Sequence, residues 1–242
     1  MRRVKGRPTI TCHIFQSMDG KISGDFFDMR EIIEPLKAYN QMKLTYRPDT
    51  IIYGATTTQQ LYARGPKPDL SRYHHIDIPE GDYIADVKAK MYLLAVDPDG
   101  TLFWNTNIVG GRIGIEDAHV VILLKEDVPY EYLAYLREQK ISYLRGGRGK
   151  IDLKKVMESA YEKLGIRKCM LLGGGFTNGT FADADMIDAM SIVIAPVLDG
   201  SSDEPTLCES GDFIGGSMRP VDFVLKEVRQ LPGSGVYLYY TR

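Results

Sequence analysis

The chain has 242 residues, 44% hydrophobic and 26% charged, enough apolar material for one large α/β domain or two small ones with a true core. A formal net charge of −2, with no Lys/Arg run longer than two, excludes an extended nucleic-acid surface. No stretch nears the roughly 18 apolar residues that cross a bilayer, and Cys12, Cys169 and Cys208 lack both disulfide-scaffold density and Cys-x-x-Cys metal spacing.

A cytoplasmic protein with buried thiols is therefore expected. The basic start, Met1 to Pro8, leads into Thr9-Ile10-Thr11-Cys12-His13, which is too polar and short for a signal-peptide core and reads as a frayed, solvated end. Thr9 to Phe15 alternates β-branched and aromatic residues and predicts the first strand, closed by the turn Ser17-Met18-Asp19-Gly20. Glu31 to Tyr46 has a helical apolar period, with Pro35 near the start, where its missing N–H costs little. Thr50 to Gly54 predicts a strand, and Thr56-Thr57-Thr58 predicts the capped start of a helix.

Gly65 to about Asp86 is rich in Pro, Gly, Asp and His and reads as a long loop. His74-His75 within it is expected to be loop surface rather than a metal site, because adjacent histidines rarely aim at one ion. Met91 to Asp97 and Val120 to Leu124 predict buried strands, Tyr130 to Gln139 a helix, Ile141 to Leu144 a short strand, and Leu153 to Leu164 a helix stopped by Gly165. Cys169 to Leu172 then predicts a buried parallel strand running into Gly173-Gly174-Gly175 and a helix-like segment, Phe176 to Phe181. Bare glycine backbone at a strand end lets N–H groups approach a pyrophosphate, and the helix dipole adds to the attraction; an ordinary Gly-rich turn has the same pattern. Met190 to Leu198 predicts another strand, and Phe223 to Arg229 with Val236 to Tyr240 a hairpin across Pro232-Gly233-Ser234-Gly235. The alternation of strands and helices predicts an α/β fold with a mostly parallel sheet and an antiparallel C-terminal edge. No internal repeat or linker interrupts 1–242, which reads as a single domain.

Four islands stand in order: Ser17-Met18-Asp19-Gly20-Lys21-Ile22, Tyr53-Gly54-Ala55-Thr56-Thr57, the triglycine with Asn178-Gly179-Thr180-Phe181, and Asp188 followed by Ile194-Ala195-Pro196-Val197-Leu198-Asp199-Gly200. Together they resemble the riboflavin-biosynthesis reductases of the dihydrofolate-reductase-like superfamily. The resemblance covers residues 9 to 242 apart from a loop insertion near 65–118. It implies a three-layer α/β/α fold and an NADPH-dependent reductase of a ribosylaminopyrimidine or a related carbonyl or imine.

By the same resemblance, Gly54, Ala55, Thr56 and Thr57 would meet the cofactor phosphates, although the threonines also suit a plain helix cap. Gly173, Gly174, Gly175, Phe176 and Thr177 would cradle the pyrophosphate, and the backbone of Phe15 and Gln16 would hold the nicotinamide carboxamide. Lys125 is the candidate for the 2′-phosphate. Asp19 would orient substrate or relay the proton that hydride addition calls for, or serve only as a turn residue. Ser17 and Lys21 would contact a substrate hydroxyl or phosphate, and Arg64 and Arg72 the phosphate of the ribosylated pyrimidine. A homodimer is expected, as relatives often form.

The chain departs from the family at Leu172, where Glu is common, at Thr56, where the second glycine of Gly-Ala-Gly-Thr stands, and in lacking Asp-Asp-Pro after that helix. Two alternatives accordingly stay open: an oxidoreductase of the same fold with another small substrate, and a non-catalytic nucleotide-binding module.

Overall fold

The structure, a computed structural model, describes residues 6–210 and 219–242; the basic stretch Met1 to Lys5 lies outside them. In chain order the elements are β1 (Thr9–Gln16), α1 (Ile33–Tyr46), β2 (Thr50–Gly54), α2 (Ala55–Leu61), β3 (Met91–Val96), β4 (Ile108–Val109) and β5 (Ala118–Leu124). There follow α3 (Tyr130–Glu138), β6 (Ser142–Arg145), α4 (Leu153–Lys163), β7 (Lys168–Leu171), α5 (Gly175–Asp183), β8 (Ala189–Ile194), β9 (Val224–Gln230) and β10 (Val236–Thr241). The chain divides into two compact units, one made mainly of Thr9–Pro48 and Met170–Arg242, the other mainly of Asp49–Cys169.

In the first unit β1 and β8 run parallel, from Thr11 opposite Ala189 to Gln16 opposite Ile194. β10 lies antiparallel on β8, and β9 antiparallel on β10 with a register shift at Tyr239/Tyr240, so the predicted hairpin closes this sheet. Asp188 fixes the register: its carboxylate accepts the Ile10 N–H at 2.7 Å, and its own N–H donates to the Ile10 carbonyl at 2.9 Å. β8 stops at Ile194, short of the predicted Leu198, because Pro196 has no N–H for a ladder and Val197 turns back to donate to the Ala195 carbonyl. α1 begins two residues later than predicted, after a 3₁₀ turn at Arg30–Ile32. Its Leu36, Tyr39 and Met42 recur at helical spacing and pack on the core of Phe15, Phe26, Ile32, Val193, Ala195 and Tyr237.

The second unit carries parallel neighbours β2, β3, β5 and β6 in that spatial order, with β4 antiparallel on the start of β5. All seven residues of β5 are buried, as a strand covered on both faces requires. α2 starts directly behind Gly54 with no side-chain cap, so Thr56, Thr57 and Thr58 lie inside the helix rather than capping it. The span 65–118 holds more than loop: β3 is an inner strand bonded to both β2 and β5, and a 3₁₀ turn forms at Leu70–Tyr73. The loop proper is tied to α3, where Tyr130 Oη accepts the Ile78 N–H at 2.7 Å and Arg137 Nη2 donates to the Pro79 carbonyl at 3.1 Å. His74 Nδ1 meets the Glu131 carboxylate of the same helix at 2.8 Å.

One buried side chain of the first unit titrates in an accessible range. His13 of β1 is fully buried and stacks on Tyr39 at 4.1 Å. Nε2 is 3.0 Å from the Tyr39 carbonyl, which can only accept, so Nε2 carries the proton and Nδ1 accepts from the Ser191 hydroxyl at 2.8 Å. Burial lowers the His13 pKa to about 4, with nearby Lys43 adding to the fall, against the opposing hydrogen bonds. Between that value and the unfolded value near 6.5 the unfolded chain binds more protons, so this contribution is complete above pH 6.5 and declines as pH falls toward 4, by about 3 kcal/mol in all. Urea-unfolding stability should fall over that window and fall less steeply in His13→Gln; identical slopes in the two proteins would remove His13 from the account.

Candidate active site

The first unit gathers one set of candidate residues at the end of β1. Ser17 is fully buried, its N–H donates to the Lys21 carbonyl at 3.0 Å, and its hydroxyl accepts the Lys21 N–H at 2.9 Å, closing the turn on which Asp19 stands. Asp19 Oδ1 accepts from the Ser17 hydroxyl at 2.5 Å and from the Asp199 N–H at 3.1 Å, and Oδ2 accepts from the Gly200 N–H at 2.9 Å. These donors, the Ser17 hydroxyl first, hold the Asp19 carboxyl well below the usual carboxylate range. Asp19 is therefore an anion at neutral pH, placed where its carboxylate pins two loops together.

The second loop is the strap Asp199 to Glu209. Met18 donates to the Val197 carbonyl at 2.8 Å, Ile22 to the Pro205 carbonyl at 3.0 Å, and Lys21 Nζ to the Glu204 carbonyl at 2.8 Å. The Ser23 hydroxyl bonds the Glu204 carboxylate, and the Asp199 carboxylate accepts the Phe26 N–H at 3.2 Å. Beyond this brace the strap crosses α5. Glu209 donates its N–H to the Gly175 carbonyl at 3.0 Å, Asn178 Nδ2 donates to the Leu207 carbonyl at 2.7 Å, and Glu209 Oε1 accepts the Thr206 N–H at 2.6 Å.

Glycine permits the crossing. A Cβ on Gly175 would lie 2.6 Å from the Thr206 carbonyl oxygen, and one on Gly179 would collide with the carbonyl of Glu209. Gly173, at φ +94°, turns the chain out of β7 with Ile14 beneath it. Gly174 precedes the helix, and the first-turn N–H groups of Gly175, Phe176 and Thr177 have no intrahelical carbonyl to bond. Gln16 closes β1 with its carbonyl accepting from Ala195 N–H at 2.8 Å, while its buried side-chain Oε1 has no hydrogen-bond partner among the described residues. Phe15 turns its ring into the core beneath α1.

The other candidates lie in the second unit. Gly54, Ala55, Thr56 and Thr57 form the junction of β2 and α2. Lys125 Nζ pairs with the Asp99 carboxylate at 2.5 Å, and its side chain is 17% exposed. Arg64 folds back onto the Gln60 carbonyl at 2.6 Å, and Arg72 pairs with Glu138 of α3 at 2.5 Å.

Sequence reading missed Glu204, Thr206 and Glu209, and left Asn178, Gly179 and Asp199 without a role. The spacing of Gly175 and Gly179, four apart on one helix face, was the available sign of a close backbone crossing. Gly179→Ala should lower stability by about 1–3 kcal/mol in urea unfolding, since the strap or the helix must move. An unchanged midpoint would mean that the strap does not lie on α5.

A family model described as the RibD C-terminal domain matches residues 8–236. The 2,5-diamino-6-ribosylamino-4(3H)-pyrimidinone 5′-phosphate reductase of Methanothermobacter thermautotrophicus is 31% identical over 130 residues, 54% of this chain and 58% of that one. The Aquifex aeolicus protein of the same name is 26% identical over 109 residues, 45% of this chain and 48% of that one. The matched stretches thus span about half the length of these curated relatives. Among solved structures, a pyrimidine reductase-like protein from Corynebacterium diphtheriae superposes with a TM-score of 0.64 at 12% identity, covering 97% of this chain and 91% of that one. RibD of Acinetobacter baumannii gives 0.62 at 19% identity, covering 98% and 58%, and the riboflavin biosynthesis reductase of Saccharomyces cerevisiae 0.60 at 15%, covering 100% and 92%. At these identities the likeness is one of fold, and it agrees with the expected dihydrofolate-reductase-like α/β architecture. With the family match running through both units and nearly the whole sequence, the chain belongs to the RibD C-terminal domain family.

Proposed function

We propose that the chain is an NADPH-dependent reductase acting on a ribosylaminopyrimidine 5′-phosphate of the kind named for its curated relatives. The observation that carries this reading is the β7–glycine–α5 junction, braced through one strap to the turn that ends β1. The residues present fit a dinucleotide. Gly173, Gly174, Gly175, Phe176 and Thr177 offer backbone N–H groups at a helix start for the pyrophosphate, and the orphaned Gln16 Oε1 is an acceptor suited to the carboxamide N–H₂. When bound, NADPH supplies the hydride.

Lys21, with an ammonium N–H directed at the Glu204 carbonyl, keeps further donors for a substrate phosphate or hydroxyl. Ser17 and Asp19 set the turn that presents it, and water delivers the proton. Gly54, Ala55, Thr56 and Thr57, at the β2–α2 junction, carry N–H groups and hydroxyls of the kind a cofactor phosphate takes. Arg64 and Arg72 would reach the ribosyl phosphate only by leaving Gln60 and Glu138. Those engagements favour, as a second reading, a reductase of the same fold whose small substrate lacks that phosphate. β9 is exposed along its length, with Val224, Leu225 and Val228 outward on a sheet edge; this supports a homodimer. No helix among the described residues is long and apolar enough to cross a membrane.

The direct test is NADPH oxidation on adding the ribosylaminopyrimidine 5′-phosphate, against the same compound without its phosphate. Preference for the phosphate ester supports the first reading, equal rates support the second, and no oxidation with either overturns both. Gly174→Val should weaken NADPH binding more than tenfold with the fold intact, because a branched side chain enters the phosphate approach; wild-type affinity would remove the cradle. Asp19→Asn should lower kcat about tenfold by loosening the turn, leaving the acid limb of the pH–rate profile in place. A shifted limb would return proton transfer to Asp19.

A further inference from the structure

The second unit holds a buried histidine that the reductase reading leaves without a task. His119, the second residue of β5, is 2% exposed, and its ring meets Tyr92 of β3 edge-on at 6.3 Å. Nδ1 is 3.0 Å from the Asn107 carbonyl, which can only accept, so Nδ1 carries the proton. Nε2 then accepts from the Ser142 hydroxyl at 2.8 Å, and the same hydroxyl oxygen accepts the Ala85 N–H at 3.0 Å. The bonds run in one sense, from Ala85 N–H through the Ser142 hydroxyl to Nε2 and from Nδ1–H to Asn107, with each donor used once. Four separate segments thus meet at one neutral ring. Ala85 belongs to the stretch between the Tyr83–Tyr143 bridge, closed by backbone bonds of 3.0 and 2.9 Å, and β3; that stretch forms no helix or strand of its own.

Neutrality is a condition of this arrangement. A proton on Nε2 turns an acceptor into a donor, so the Ser142 hydroxyl proton loses its acceptor while Ser142 is fully buried. The ring's charge also lacks a counter-ion. β3, β4 and β5 carry no charged residue besides His119. Around them Asp82 pairs with Lys163 at 2.7 Å and Lys90 with Asp117 at 3.0 Å, Arg145 at the far end of β6 bonds the Glu126 carbonyl, and Asp86, Lys88, Glu116 and Lys140 are exposed. Burial lowers the His119 pKa, against the Asn107 bond, which raises it. As pH falls below about 6.5 the unfolded segment therefore takes up the proton first, and the node loses stability in that direction.

We propose that His119 is an acid-released latch: neutral, it holds the 83–90 stretch to β6 through Ser142, and a proton on Nε2 opens that stretch while the strands stay paired. A buried cation without a counter-ion is relieved by water, and water enters where the least structure has to give. The strands around the ring are held by ladders, from Met91 opposite Ala118 on one side and Val121 opposite Ser142 on the other. Ala85 is held to β6 by the Ser142 bond, so its side of the node is the part that yields. None of this depends on the reductase reading.

Hydrogen exchange of the full chain, read by mass spectrometry between about pH 7.5 and about pH 5 and divided by the intrinsic rate at each pH, tests the latch. Protection of the 83–90 stretch should fall about tenfold over that span, the change that one pKa unit makes, while β5 keeps its protection. His119→Gln has a side-chain amide that can donate to Asn107 and accept from Ser142 but takes up no proton, so its 83–90 stretch should change less than about twofold. Comparison with this variant also removes the contribution of His13. Ring-nitrogen NMR of the parent, which needs no variant, should show the proton on Nδ1 at neutral pH and uptake of the second proton below the ordinary histidine range. Unchanged protection of the 83–90 stretch, an equal loss in His119→Gln, a loss shared by β5, or a neutral ring protonated on Nε2 would each overturn the proposal.

Discussion

The passage of the strap across α5 is the contact on which the first unit's candidate site depends. A backbone crossing this close needs a helix face without Cβ atoms, and Gly175 and Gly179 supply it one turn apart. Asn178, between them in sequence, adds the hydrogen bond to the Leu207 carbonyl that holds the strap at that height. The same strap carries the N–H groups that pin Asp19 and the carbonyl that receives Lys21. The helix start and the turn after β1 are thus positioned by one piece of chain, and displacement at either end is transmitted to the other.

This changes the meaning of the glycine-rich sequence. Read locally, three glycines after a strand suit a phosphate, and Gly173 and Gly174 keep that reading. Gly175 also serves the strap, and Gly179, outside the triglycine, serves it alone among the functions the structure presents. Glycine lowers helix propensity by about 1 kcal/mol per residue, so α5 relies on tertiary contacts more than on its own sequence. Asp19 shows the same displacement of meaning. An acid beside the expected reaction centre suggests proton transfer, and three donors also make it a fixed anion that joins two loops.

The elements were legible where periodicity is local. Alternation in Thr9 to Phe15, the apolar run at Val120 to Leu124, and the Pro232 to Gly235 turn each specify a strand or hairpin within a short window. What escaped were partners distant in sequence: Asp19 with Gly200, Arg72 with Glu138, Lys125 with Asp99. A lone Lys or Arg has the same signature in sequence whether it awaits a phosphate or is already paired, and only the fold brings its carboxylate alongside. The missing cap on α2 is a different case, in which the β2–α2 junction places Gly54 at the cap and draws the threonines into the helix. The strand–glycine–helix junction at Gly173 to Gly175 was legible because that motif is contiguous.

The division of the chain has a consequence for the order in which it can fold. The bulk of the second unit, Asp49–Cys169, is one continuous stretch, and β2, β3, β5 and β6 within it pair close in sequence, so these strands all exist once residue 169 has been synthesised. The other unit begins earlier and finishes last: β1 pairs with β8, with Ile10 and Asp188 separated by 178 positions, and β8 in turn pairs with β10. Loop closure over that distance is slow and leaves the apolar face of β1 uncovered meanwhile. A growing chain therefore completes its middle first, and the strand bearing His13, Phe15 and Gln16 is made at the start yet gains its β8 neighbour only near the end.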